Sequence, residues 1–177
     1  TTLDTASGKI SFTDVDLTDK HTVAVMGSGA STTPVAQNLV WQSADSTPKL
    51  LTTLSVAQQS ALRSALDSAL SVSIGTDSTN TGAGSINWDF SAADSNFDFL
   101  ATGEKLVVTY NVQVKDASGQ SNVQPVTITI TGTNDAPVVT AQTGDTTSAS
   151  ITEQSGQKGL TTLDTASGKI SFTDVDL

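Results

Sequence analysis

The stretch Leu106–Val114 (LVVTYNVQV) decides the fold class of this chain, because apolar and polar residues alternate along it. Every second residue from Val108 to Val114 is apolar, and the residues between them are Thr109, Asn111 and Gln113. A period of two places the apolar side chains on one face of an extended backbone. The stretch therefore predicts a half-buried β-strand with one face on a core.

A second alternating stretch follows at Val126–Thr131 (VTITIT), with its valine and isoleucines on one face. Residues 115–120 (KDASGQ) between the two stretches are typical of a turn. Together they predict a long antiparallel hairpin in a mainly β protein. The same patterns predict further strands at Lys9–Thr13, His21–Met26, Ala36–Gln42 and Ser85–Phe90.

One helix interrupts the strands. Ser55–Gln58 (SVAQ) has the form of a capping box, and Leu62 and Leu66 follow at helical spacing, so we expect a helix up to about Val72. Its alanine and leucine stripe is more typical of core packing than of partner docking. Residues Gly75–Ser85 (GTDSTNTGAGS) are expected to form a loop.

The chain contains an internal duplication. Thr1–Leu17 (TTLDTASGKISFTDVDL) returns unchanged as Thr161–Leu177, which sets a period of 160 residues and indicates a tandem array. The segment Thr131–Pro137 (TGTNDAP) reads as a linker between domains. We therefore expect one domain at 1–135 that lacks its first strand, and at 136–177 the linker exit and first two strands of the following repeat.

Composition excludes several classes of protein. The chain has no cysteine, which removes disulfides, thiolate metal sites and cysteine catalysis. Its net charge of −10 argues against nucleic acid, whose binding requires clustered Lys and Arg. The sequence contains no run of 18 or more apolar residues, so we expect no direct contact with a membrane. With a single histidine and no nucleophile motif, we do not expect an enzyme.

Three segments, in order, resemble the VCBS and bacterial cadherin-like repeats of giant RTX adhesins: Ile10–Val25 (ISFTDVDLTDKHTVAV), Phe97–Val114 (FDFLATGEKLVVTYNVQV) and Val126–Pro137 (VTITITGTNDAP). The resemblance spans nearly the whole period. It implies an immunoglobulin-like, cadherin-like β-sandwich with one inserted helix. It also implies extracellular, cell-surface extender modules, exported by type I secretion, that bind calcium and project a ligand-binding tip for adhesion or biofilm formation.

The acidic residues agree with a calcium protein, since Asp in turns commonly supplies oxygen ligands to this ion. In an immunoglobulin-like sandwich the loop after the second strand and the loop between the last two strands meet at one end. Asp14, Asp16 and Asp116 are therefore expected to converge there, and calcium is the expected cofactor.

A second group of acids is expected at the junction between repeats. By similarity to cadherin junctions, an acid before the penultimate strand, an Asn-Asp linker and a downstream Asp-x-Asp share calcium. In this sequence those positions are Glu104, Asn134, Asp135, Asp174 and Asp176. Without the ion these acids repel one another, so the linker would loosen.

Each acid also has an ordinary alternative. Asp14 and Asp16, like their copies, could be solvated acids in a turn. Glu104 and Asp116 could be isolated acids beside turns. Glu153 is a further metal candidate, although surface acids are common without any ligand.

Two other functions stay open. A glycan-binding module of a repetitive adhesin would use the Gly75–Ser85 loop or an exposed Trp41 or Trp88, with identical copies giving avidity. Trp88, however, alternates with Phe90 on a predicted strand, which favours a place in the core. The other alternative is an accessory domain of a secreted hydrolase.

The duplication also bears on partners, which we expect to be neighbouring repeats. A lone two-stranded unit at 136–177 is marginal in water. Our hypothesis is that this segment completes the sandwich of a neighbouring molecule by strand exchange, or displaces Thr1–Leu17 there.

Overall fold

A computed structural model describes residues 2–27, 36, 38–156, 158–159 and 161–176 of the chain. It divides into two compact units, Thr1–Asn134 (unit 1) and Asp135–Leu177 (unit 2), so the division falls within the predicted linker. One residue of the predicted strand Ala36–Gln42, Gln37, lies outside the described part. Within that part, no helix has the length and apolar character needed to cross a membrane.

The described residues of unit 1 form antiparallel sheets, one α-helix and two short 3₁₀ helices, an arrangement consistent with a β-sandwich. The first sheet has the order β1-β6-β5, and in the second, β7 pairs with β2, β3 and β8, and β3 also pairs with β4. The strands are β1 (Leu3–Thr13), β2 (Thr22–Val25), β3 (Asn38–Gln42), β4 (Pro48–Lys49), β5 (Leu70–Thr76), β6 (Ala83–Ala93), β7 (Lys105–Lys115) and β8 (Gln124–Thr131).

The hairpin predicted from the alternating stretches is confirmed. β7 pairs with β8 antiparallel, with Leu106 opposite Ile130 and Tyr110 opposite Val126. Leu106, Val108, Tyr110 and Val112 are all at most 1% exposed, so the predicted inward face is the core face. The predicted mainly β fold class is confirmed by the eight described strands and one α-helix of unit 1.

The helix α1 (Val56–Asp67) begins as predicted. Ser55 accepts the backbone N–H of Gln58, and the Gln58 side chain accepts the backbone N–H of Ser55. The predicted end near Val72 was wrong, because α1 stops at Asp67 and Leu70–Thr76 forms β5. Leu70 continues the helical spacing of Leu62 and Leu66, but the segment that it begins pairs with β6 instead.

The core joins the helix to both sheets. The Tyr110 hydroxyl donates to the Leu66 carbonyl at 2.7 Å, and its ring lies 6.4 Å from that of Phe90. Trp41 is 1% exposed and meets the ring of Phe99 edge to face at 5.1 Å. Trp41 is therefore a core residue, and Trp88 is half-buried against the same core.

In the described part of unit 2 there are two short strands, β9 (Val138–Val139) and β10 (Phe172–Thr173), which pair antiparallel. Its sequence 161–177 is identical to Thr1–Leu17, yet the two copies differ in structure. The first copy forms the eleven-residue β1, with Ile10 and Phe12 half-buried. In the second copy the equivalent Ile170 and Phe172 are 58% and 68% exposed.

We predict that Gly132→Ala destabilises the protein by about 1–3 kcal/mol, because a Cβ there would lie 2.3 Å from the backbone oxygen of Leu100. Gly119→Ala is the matched control, since no atom lies within 4 Å of its Cβ position, and should change stability by less than about 0.5 kcal/mol. Urea unfolding measures both. Equal stabilities of the two variants would contradict the packing at Gly132.

Candidate metal centre

Two of the predicted ligands come together at one end of unit 1. Asp14 follows directly on β1, and its backbone N–H donates to the Gly82 carbonyl at 3.1 Å, continuing the ladder with β6. Asp116 follows directly on β7, where its carboxylate accepts the N–H groups of Ser118 and Gly119 in a tight turn. Strand ends more than 100 residues apart in sequence therefore place these two acids together.

His21 lies between carboxylates at this end. Its Nε2 is 2.8 Å from Asp14 Oδ2, and its Nδ1 is 2.7 Å from Asp77 Oδ1. The imidazole is only 3% exposed and tilts against the ring of Phe12 at 5.0 Å. Both ring nitrogens are thus held by acids, which fixes the orientation of the ring.

Asp14, His21 and Asp116 form a possible donor set. Their donor atoms all lie within 4.8 Å of one another, which is close enough to share one ion. An open cavity of about 330 Å³ adjoins them, lined also by residues 118–121. Because Asp77 holds the other nitrogen of His21, this set matches the usual support of a metal-bound histidine.

The charges at this end stabilise one another. The hydrogen bond from His21 lowers the pKa of Asp77 to about 2. The backbone N–H of Asp16, with His21, lowers the pKa of Asp14. Burial disfavours the imidazolium, but the hydrogen bonds to Asp77 and Asp14 outweigh that cost and raise the pKa of His21.

The Asp-Val-Asp sequence makes the same local hydrogen bond in both copies. In unit 1 the N–H of Asp16 donates to Asp14 Oδ1 at 2.9 Å, and in unit 2 the N–H of Asp176 donates to Asp174 Oδ1 at 3.1 Å. Turns of this kind depend on the aspartate and its near neighbours. The loop conformation is therefore encoded locally, whatever surrounds it.

In unit 2 the linker residue Asp135 reaches this turn. Its backbone N–H donates to Asp176 Oδ2 at 3.1 Å. The other oxygen, Asp176 Oδ1, is buried and has no hydrogen-bond partner among the described residues. A buried carboxylate oxygen without a partner is costly, and a cation would satisfy it.

Other predicted ligands lie elsewhere. Glu104 is buried, accepts the Trp41 indole N–H at 2.9 Å and pairs with Lys49 Nζ at 2.6 Å, so its oxygens already have partners. Asn134 ends unit 1, and Glu153 is an exposed residue outside the strands of unit 2.

His21 and Asp77 were not among the predicted ligands. Spacing gave His21 no partner, because Asp77 is 56 residues away in sequence and lies in the expected loop. Asp77 joins that segment to His21, and its carboxylate also accepts the Thr79 hydroxyl at 3.2 Å. The one available signal was the uniqueness of the histidine.

We predict that the imidazole of His21 titrates above its usual value of 6.5, because the folded state stabilises its charged form. Stability from this group is then fully present below pH 6.5 and is lost as the pH rises through the folded-state pKa. As His21 is the single histidine, one imidazole NMR signal reports it. Asp77→Asn should lower this pKa, and Asp45→Asn, in a separate turn, should leave it unchanged. A native pKa at or below 6.5 would contradict the arrangement.

We also predict that Glu104→Gln costs about 1–3 kcal/mol of stability, since it removes the charge facing Lys49 in a buried site. If Glu104 acts through Lys49 and Trp41, the loss is the same in calcium and in chelator. Asp89→Asn, at an exposed acid, serves as the control. Thermal unfolding in both buffers measures the loss of stability. A loss of stability seen only with calcium would instead make Glu104 a calcium ligand.

No family model, curated protein or solved structure matches this chain. Its function is therefore inferred from the repeat, the fold and the contacts described above.

Proposed function

We propose that this chain is a structural extender repeat of a calcium-dependent bacterial surface adhesin, with an immunoglobulin-like sandwich as its module. The proposal is supported by the 160-residue period, the mainly β fold and the acidic turns at strand ends. A unit copied head to tail suits a spacer, because each repeat adds length without new chemistry. Its place is outside the cell, as part of a secreted array that holds a distal ligand-binding region away from the surface.

The observation on which the proposal depends is the unpartnered oxygen of Asp176. This oxygen is buried, and the second oxygen of the same carboxylate accepts the N–H of Asp135. Asp174 lies two residues away in the same turn. Asp174 and Asp176 thus bring two carboxylates to one turn that Asp135 contacts through its backbone, and carboxylate oxygens are the donors that calcium prefers.

The Asp14, His21 and Asp116 group within unit 1 suits calcium less well. Asp14 Oδ2 is taken by the imidazole of His21, and Asp116 Oδ1 accepts two backbone N–H groups. Nitrogen donors suit borderline metals such as zinc better than calcium. The Asp135, Asp174 and Asp176 group is therefore the better calcium site of the two.

The mechanism we propose is mechanical. Asp135 opens unit 2 directly after Asn134, so an ion held by Asp135 and Asp176 restrains the backbone of the linker. Extracellular modules need only weak calcium sites, with Kd of about 10⁻⁴–10⁻³ M. A chain exported into millimolar calcium would then fold and stiffen outside the cell.

The glycan-binding alternative receives less support. Trp41 is buried, and its indole N–H donates to Glu104, so it offers no face to a sugar. Trp88 covers Gly8, where a Cβ would lie 2.4 Å from its ring. Both tryptophans are thus engaged within unit 1.

We predict that calorimetry on chelator-stripped protein detects calcium binding in the range given above, and that Asp174→Asn with Asp176→Asn weakens it about tenfold or more. The matched control is the same pair of changes in the first copy, Asp14→Asn with Asp16→Asn. That control should alter the affinity less, because Asp135 donates its N–H to Asp176 of the second turn.

Absence of binding at millimolar calcium would remove the proposed mechanism. Equal losses in the two double variants would instead place the ion at both turns and deny the linker a special role.

A further inference from the structure

The strand β1 has one edge bonded to β6 and one edge open. Asp14 donates its N–H to Gly82, and Asp94 donates to the Thr2 carbonyl, so the even-numbered residues of β1 direct their backbone groups toward β6. The odd-numbered residues Lys9, Ser11 and Thr13 direct their backbone N–H and C=O groups away from β6. Because β1 is the terminal strand of its sheet among the described residues, this odd-numbered edge is open.

Unit 2 shows what pairs with that edge. Lys169, Ser171 and Thr173 are the copies of Lys9, Ser11 and Thr13. The Lys169 carbonyl accepts the N–H of Thr146, the N–H of Ser171 donates to Asp145, and Thr173 pairs with Val138. Residues 138–139 and Thr146 thus contact the odd-numbered edge of the second copy, opposite to the edge that β6 uses in the first. Residues 142–145 form a turn between these contacts, and the Asp145 side chain of that turn binds Ser171.

We propose that residues 138–151 of one chain, with the turn at 142–145 retained, add to the open edge of β1 in a second copy of the chain. The sequence of that edge is identical in the two copies, so every backbone contact made in unit 2 has its counterpart on β1. The addition leaves the whole pairing of β1 with β6 in place. The added segment makes the same backbone contacts as in unit 2, but with a strand that is itself paired with β6.

The apolar side chains favour the transfer. Val139 is opposite Phe172 in unit 2, so on β1 it would stand beside Phe12, on the inward face. Val139 is 69% exposed in unit 2, where no strand equivalent to β6 is paired with the described residues of the second copy. Burying it on the sheet of unit 1 is therefore a gain of apolar contact.

The far end of the added strand meets a groove. Continued antiparallel from the bond between Thr146 and Lys169, the register sets Ile151 near the copy of Asp4, again on the inward face. In unit 1 a groove of about 230 Å³ lies at that level, between the start of β1 and the edge strand β8. Phe90, Ile128 and Ile130 line it, and Ile151 is 55% exposed in unit 2.

The contact is head to tail, because the donor segment and the acceptor edge are different surfaces of the chain. Such a contact does not close on itself as a two-fold dimer does, so assembly continues beyond two copies. The inference uses only the repeat and the strand edges, and it stands or falls independently of calcium.

The test is sedimentation of the full chain over a range of concentrations in chelator, with a proline placed in either copy. Ser11→Pro removes an N–H from the open edge alone, since the N–H of residue 11 does not face β6. We expect it to weaken self-association about tenfold or more. Ser171→Pro is the matched change in the second copy. It removes both hydrogen bonds from Ser171 to Asp145, those of the N–H and of the hydroxyl, and frees the donor segment, so association should be equal or stronger.

A third variant, Val139→Asp, leaves unit 1 unaltered and should weaken association as well, and thermal unfolding checks that each variant is folded. A native chain that stays monomeric at its highest soluble concentration would overturn the proposal. Association lost in Ser171→Pro but kept in Ser11→Pro would also overturn it, because residues 161–177 would then be replacing β1 on β6.

Discussion

The central strand β7 is hydrogen-bonded along both edges, and the rest of unit 1 depends on this constraint. β8 pairs with one edge over most of its length, and β3 and β2 share the other. A strand paired on both sides cannot slip in register without exposing its apolar face. Its two ends are consequently fixed points, and Glu104 and Asp116 lie at them.

These two acids show how position on one strand separates roles. Glu104 precedes β7 and is buried against Trp41 and Lys49, where a paired charge holds the loop to the core. Asp116 follows β7 at the opposite end, close to Asp14 and His21 and next to an open cavity. A carboxylate with every oxygen engaged in the interior serves the fold, whereas one beside an open cavity is accessible to an ion.

The two copies of the duplicated sequence show which structural features depend on the local sequence and which depend on tertiary contacts. The hydrogen bond within Asp-Val-Asp forms in both copies, since it joins residues only two positions apart. The strand before it differs: the first copy pairs along all eleven residues with β6, and the second pairs over two residues with β9. Extended structure of this length requires a partner strand, whereas the turn requires only its own side chains.

The sequence by itself determined the features that depend on near neighbours. The alternation in β7 and β8, their hairpin and the capping box at Ser55 were predicted, because period, turn residues and capping chemistry are local. The tertiary structure alone decided that Leu70–Thr76 pairs with β6 instead of extending the helix, and that Asp77 meets His21. Those outcomes depend on contacts between segments distant in sequence. A single sequence gives the types of the residues involved but does not show which residues contact each other.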